Sequence, residues 1–175
     1  MRSFALASGS SGNCFYVESS RGVRILVDLG LSFKRTKEIL YERGINIEDI
    51  NYVFITHEHS DHCQGLKKFC ESVDAKIYLS RGTRENIKDV KGNFEVVEEN
   101  KVVELGDIRV FSIRKSHDSS EAFSYIFENG KKVGVFTDMG YVCDKIMHII
   151  KGLDVLYCEA SYCESILKER KLRYN

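Results

Sequence analysis

A chain of 175 residues, 43% of them hydrophobic, can bury the core of one domain and is short for two. Its 26 basic and 26 acidic side chains cancel, which excludes a global pull toward nucleic acid or a membrane surface and leaves only local patches. No run approaches the ~20 apolar residues of a membrane span, the N-terminus lacks the pattern of a secretory signal, and six cysteines without a CxxC pair read as reduced thiols, so a cytoplasmic protein is expected.

The pattern predicts a strand over residues 4–7, then the tight loop SGSSGN (8–13). Hairpin strands follow over 14–18 and 23–28. Ser32 caps a helix that runs to about Arg43, buries Ile39 and Leu40, and ends at Gly44. An apolar strand, 52–56, delivers HEHSDH (57–62) at its C-terminal end. A helix over 62–71 turns Leu66, Phe69 and Cys70 inward; a strand (75–79) and a short helix (82–88) come next. Three strands are expected over 94–97, 101–105 and 108–113, then the loop KSHDSSE. Residues 123–128 and 132–137 form a hairpin about Asn129 and Gly130. Residues 141–151 are helical, 155–158 a strand, and 165–173 a basic helix. Short strands in groups, with helices set between them, indicate the α+β class: one domain over 1–175, an αββα sandwich of two mostly antiparallel sheets with helices outside.

HEHSDH gathers three of the five histidines and an aspartate into six residues. Neutral imidazoles and carboxylates are the usual ligands of zinc and similar divalent ions. A strand end followed by a turn can aim His57 and His59 at one point, and Asp61 and His62 at a second nearby. Two ions held ~3.5–4 Å apart form a hydrolytic centre. The alternative is an exposed polar loop. Further ligands are expected at other strand ends, where His117 and Asp138 stand. His148 lies inside a helical pattern and reads as structural. Cys63 reads as a residue packed with Cys70 rather than a ligand, and Cys14, Cys143, Cys158 and Cys163 as small core residues.

HEHSDH after an apolar strand resembles the signature of the metallo-β-lactamase fold hydrolases. Asp28, Leu29 and Gly30 resemble that superfamily's earlier aspartate motif, and the sequence TDMG (137–140) its bridging-aspartate motif. LASGSSGN (6–13) with SHD (116–118) resembles one branch, the YycJ-type hydrolases, relatives of RNase Z and RNase J. The resemblance implies a first metal on His57, His59 and His117, a second on Asp61 and His62, and Asp138 bridging both. Asp28, and with it Asp118, would steady the ligands from behind. It also implies a further histidine for the second metal, in an Asn-His-Asp motif where this chain has Ser161, Tyr162 and Cys163. Two readings stand: the chain is incomplete at its C-terminus, which the uncapped LKERKLRYN favours, or its second site is weak.

The chemistry expected is hydrolysis by a hydroxide bridging two divalent ions, zinc first and manganese as the alternative, with Asp61 orienting the nucleophile or taking its proton. The branch points to phosphodiesters in DNA or RNA as substrate, and so to a nuclease. In the loop, Ser8, Ser10, Ser11 and Asn13 can offer N–H and hydroxyl groups to phosphate oxygens. The other reading is a small-molecule hydrolase acting on a thioester, lactone or cyclic phosphodiester. The cations of the helices (Lys34, Arg35 and Lys37; Arg81, Arg84 and Lys88; Lys168 to Arg173) read mainly as solvated faces.

Overall fold

A computed structural model describes residues 1–159. Its first sheet follows chain order: β1 (Arg2–Ala7), β2 (Cys14–Glu18), β3 (Arg24–Val27), β4 (Tyr52–Phe54), β5 (Lys76–Leu79) and β6 (Asn93–Val96). The second runs from the edge strand β7 (Val102–Leu105) through β8 (Ile108–Arg114), β9 (Phe123–Glu128) and β10 (Lys132–Phe136) to β11 (Val155–Cys158). The helices are α1 (Phe33–Tyr41), α2 (Ser60–Cys63), α3 (Leu66–Ser72), α4 (Arg81–Asn86) and α5 (Asp144–Lys151).

Period-two alternation builds the layers. In β2, Phe15 and Val17 face the second sheet while Cys14 and Tyr16 face the helices. In β9, Phe123, Tyr125 and Phe127 point between the sheets and Ile126 points outward. One apolar cluster therefore lies between the sheets. A second lies under α1 and α3, centred on Leu40, Leu66 and Phe69, and a third under α5, around Phe136 and Ile146. The result is the αββα sandwich.

Several expectations need correction. Pairing is mixed: β1, β2 and β3 are antiparallel, but β3, β4, β5 and β6 run parallel, as do β10 and β11. Helices connect each of these parallel neighbours, and a parallel pair needs such a crossover. The helix expected over 62–71 is two, because the Gly65 N–H leaves the helical ladder and donates to the Leu29 carbonyl at 2.8 Å. The helix expected from 141 starts at Asp144. Cys158 is exposed rather than in the core, and His148 sits on the exposed face of α5. Cys163, the helix expected over 165–173 and the Lys168 to Arg173 cations lie outside the described residues.

The loops after β1, β3 and β4 meet at one pole of the sandwich. Asn13 N–H donates to the Asp61 carbonyl at 2.8 Å, Gly30 N–H to that of Asn13 at 2.9 Å, and Leu29 N–H to that of His62 at 2.8 Å. Gly30 is the wedge, since a Cβ there would lie 1.7 Å from the Asp61 carbonyl oxygen. No side chain can move to relieve a clash with backbone. Gly30→Ala is expected to destabilise the protein by about 3 kcal/mol or more, read as the shift in urea midpoint. A loss below ~0.5 kcal/mol would show that these loops are not locked.

Candidate metal centre

The strand β4 ends at Phe54, and Thr56 behind it is held from both sheets. Its N–H donates to Asp28 Oδ1 at 2.8 Å, and its carbonyl accepts from Phe123 N–H of β9 at 2.9 Å. His57 and His62 follow, both fully buried. His117 arrives from the loop after β8. That loop is pinned to HEHSDH by Glu58, whose Oε1 accepts the Ser120 N–H at 2.8 Å.

Three imidazoles converge. His117 Nε2 lies 3.1 Å from His57 Nε2 and 3.2 Å from His59 Nδ1, and those two are 3.2 Å apart. A tetrahedral ion with ~2.0–2.1 Å bonds to imidazole needs its donors roughly 3.3 Å from one another. On His57 and His117 the other ring nitrogen is engaged so that the lone pair faces inward. His57 Nδ1 is 3.0 Å from Thr56 Oγ1, which donates its own proton to Asp28 Oδ2 at 2.9 Å. His117 Nδ1 is 3.0 Å from Asp118 Oδ1. Such backing sets the tautomer of a metal-binding imidazole.

A second group joins His57, His62 and Asp138. Asp28 Oδ2 takes His62 Nδ1 at 2.8 Å. His62 Nε2 then faces Asp138 Oδ2 at 3.0 Å and Asp61 Oδ2 at 3.5 Å. Asp138 Oδ2 is buried and, among the described residues, has no other hydrogen-bond donor. A neutral His62 that donates through Nδ1 would turn a lone pair toward that carboxylate, so the pair needs a cation between or beside them. The donor set therefore fits divalent metal at two adjoining positions.

The electrostatics agree. Burial pushes the His57 pKa down to about 2, helped by the positive charges of His62, Lys115 and His117. Burial also opposes charging of His62, but Asp28 and Asp138 outweigh it and raise its pKa to about 10. Burial opposes ionisation of Asp138 too; His62 and Lys115 reverse that and hold it below the usual carboxylate range. His117 is lowered, chiefly by burial.

The serines of the loop after β1 divide from its asparagine. Ser8, Ser10 and Ser11 are exposed, whereas Asn13 is buried with its side-chain amide 3.2 Å from His62 Nε2. Cys63 Sγ–H donates to the His57 carbonyl at 3.3 Å and is no ligand in this geometry. Several helix cations are already paired: Arg35 with Glu38 at 3.5 Å and Lys37 with Glu48 at 2.6 Å, while Arg84 lies over the Phe94 ring. Sequence reasoning missed three residues. Thr56 and Glu58 stood in plain sight at the motif. Lys115 carried no signal, because its burial breaks the in–out alternation of β8.

Stripping the protein with a chelator should expose these opposed histidines. Unfolded imidazoles titrate near ~6.5. His62, raised to about 10, stabilises fully below ~6.5 and loses that contribution as pH rises toward its folded value. His57, lowered to about 2, stabilises fully above ~6.5 and loses its contribution as pH falls. The stripped protein is expected to melt highest near pH ~6.5 and lower at pH ~4 and ~9. A melting temperature that climbs steadily across this range would contradict the assignment.

The family described as "Beta-lactamase superfamily domain" matches residues 23–167. The chain is 35% identical over 169 residues to the exodeoxyribonuclease YycJ of Bacillus anthracis, covering 93% of this chain and 64% of that protein. It is 34% identical over 171 residues to the exodeoxyribonuclease WalJ of Streptococcus pneumoniae serotype 2 (strain D39 / NCTC 7466), covering 93% and 63%. It thus spans just under two thirds of the length of these curated relatives. A subclass B3 metallo-β-lactamase with an active-site glutamic acid superposes with a TM-score of 0.69 over 89% of this chain and 74% of that one, at 15% identity, and shows the fold alone. With the shared sandwich, the convergent histidines and this family match along most of its length, the chain belongs to the β-lactamase superfamily.

Proposed function

We propose that this chain carries the catalytic centre of a metal-dependent phosphodiesterase that cleaves nucleic acid. The observation that carries the reading is the meeting of three imidazole nitrogens, 3.1–3.2 Å apart, beside the buried Asp138 Oδ2, which among the described residues faces only His62 Nε2 at 3.0 Å. The relatives named as exodeoxyribonucleases support DNA as substrate. His57, His59 and His117 would hold one divalent ion, His62 and Asp61 a second, and Asp138 both. Three imidazoles suit zinc first, and the carboxylates of Asp61 and Asp138 admit manganese as the alternative. When bound, such ions supply Lewis acidity and acidify water to near neutral pH.

The chain's own residues prepare that site. Asp28 fixes His62 through Nδ1 and fixes Thr56 through its hydroxyl and N–H. Thr56 in turn orients His57. Asp61, 30% exposed, is the carboxylate we propose to orient an attacking water or take its proton. Ser8, Ser10 and Ser11, exposed on the loop whose base is Asn13, are the groups proposed to meet phosphate oxygens. Among the described residues no helix is long and apolar enough to cross a membrane; a cytoplasmic role on nucleic acid is the setting proposed.

Asp28→Asn is expected to weaken metal binding by ~10–100-fold, measured by competition with a chromogenic chelator. Unchanged affinity would remove Asp28 from the site. End-labelled DNA incubated with the protein and zinc or manganese should be degraded, with binding that weakens as salt rises, and His117→Ala should abolish cleavage. Turnover of a thioester, lactone or cyclic phosphodiester panel with intact DNA would replace the nuclease reading with a small-molecule hydrolase. Equal rates before and after chelation would end the metal mechanism altogether.

A further inference from the structure

Lys115 follows β8 and stands two residues before His117, yet its side chain is buried, only 6% exposed. A buried ammonium beside a cation site is costly unless it makes specific bonds. Lys115 Nζ donates to the Thr137 carbonyl oxygen at 2.6 Å and stands 3.5 Å from Thr137 Oγ1. Thr137 is the last residue before Asp138, whose backbone is left-handed at φ 49°. A residue with a Cβ takes that conformation at a cost and keeps it only when its surroundings hold it.

The neighbouring bonds point the same way. Ser116 carbonyl accepts the Gly140 N–H at 2.8 Å, and Ser116 forms an isolated bridge with Tyr141. Lys115 and Ser116 thus grip the Asp138 turn on both sides, Thr137 before it and Gly140 after it. The next residue, His117, belongs to the three-imidazole group. A direct role on substrate does not fit, because the ammonium is buried and committed to a backbone carbonyl.

We propose that Lys115 is the positioning residue of the second metal position: by holding the Thr137 carbonyl it fixes the left-handed turn that aims the Asp138 carboxylate at His62, and it couples the His117 loop to that turn. The proposal rests on the metal reading given above. The interaction that matters is the donated hydrogen bond, not the charge, since the charge alone would repel a second cation.

The two can be separated by substitution. Lys115→Gln keeps a donor and removes the charge; Lys115→Met removes both. Stepwise binding of zinc and of manganese is followed by titration calorimetry, with far-ultraviolet circular dichroism as a folding control. The expected result is that Lys115→Met binds the first ion within about threefold of wild type and the second at least tenfold more weakly, while Lys115→Gln binds both within about threefold. Equal or tighter binding of the second ion by Lys115→Met overturns the proposal in favour of charge repulsion. Parallel tenfold losses in both variants overturn it as well, because the donor would then not suffice. If Lys115→Met does not fold, Lys115→Gln decides alone: retention of the second ion supports the bond, and a tenfold loss overturns it. Absence of any ion in the wild-type protein would instead defeat the metal reading itself, an outcome distinct from all of these.

Discussion

The centre turns on one buried imidazole held between two carboxylates. Asp28 takes Nδ1 of His62, and Asp138 faces Nε2, with neither His62 nor Asp28 exposed at all. Two anions around one ring leave the group short of positive charge unless the ring takes a second proton or a metal ion arrives. Burial makes that shortage expensive, because charge out of water must be compensated within a few ångströms. The same pairing reaches outward. Asp28 also holds Thr56, Thr56 orients His57, and His57 sets the corner on which His59 and His117 close.

The sandwich serves this chain of contacts by bringing loop ends together at one pole. Both aspartates that flank His62 end strands, β3 and β10, and both have left-handed backbones, at φ 62° for Asp28 and 49° for Asp138. A strand that stops in this conformation turns its carboxylate back across the sheet end instead of continuing the ladder. The opposite pole is closed by side chains of another kind. Asp107, in the turn between β7 and β8, accepts from Ser19 Oγ at 2.6 Å, Ser20 Oγ at 3.0 Å and the Arg21 N–H at 3.1 Å, and Asn129 Nδ2 reaches it at 3.1 Å. These bonds tie the β2–β3 turn of the first sheet to two turns of the second. The sheets are thereby stapled at the end opposite the histidines.

Much of this was legible in the sequence because it is carried by local pattern. Short apolar runs between turn signals reported the strands β2, β9 and β10, and Asn129 with Gly130 reported the hairpin between β9 and β10. The crowding of His57, His59, Asp61 and His62 into one turn reported a cation site without any fold, since few other arrangements need that many ligands so close together. What escaped was set by neighbours distant along the chain. The parallel run from β3 to β6 follows from how α1, α3 and α4 pack on one face. The split between α2 and α3 follows from the Gly65 N–H bonding the Leu29 carbonyl instead of a helical partner. Asn13, read with the serines as a phosphate-binding loop residue, is buried beneath His62, its N–H bonded to the Asp61 carbonyl.

The amino-acid sequence by itself determined the layer pattern, the family signature and the identity of the residues that could bind a cation, because each depends on residue type and spacing. Only the tertiary structure decided which ring nitrogens face one another, which of them Asp28 and Asp118 meet, and that Lys115 is buried against the Asp138 turn. Those facts depend on distances between segments tens of residues apart. Packing fixes such distances through close backbone approaches and buried hydrogen bonds, which leave no periodic trace in the chain.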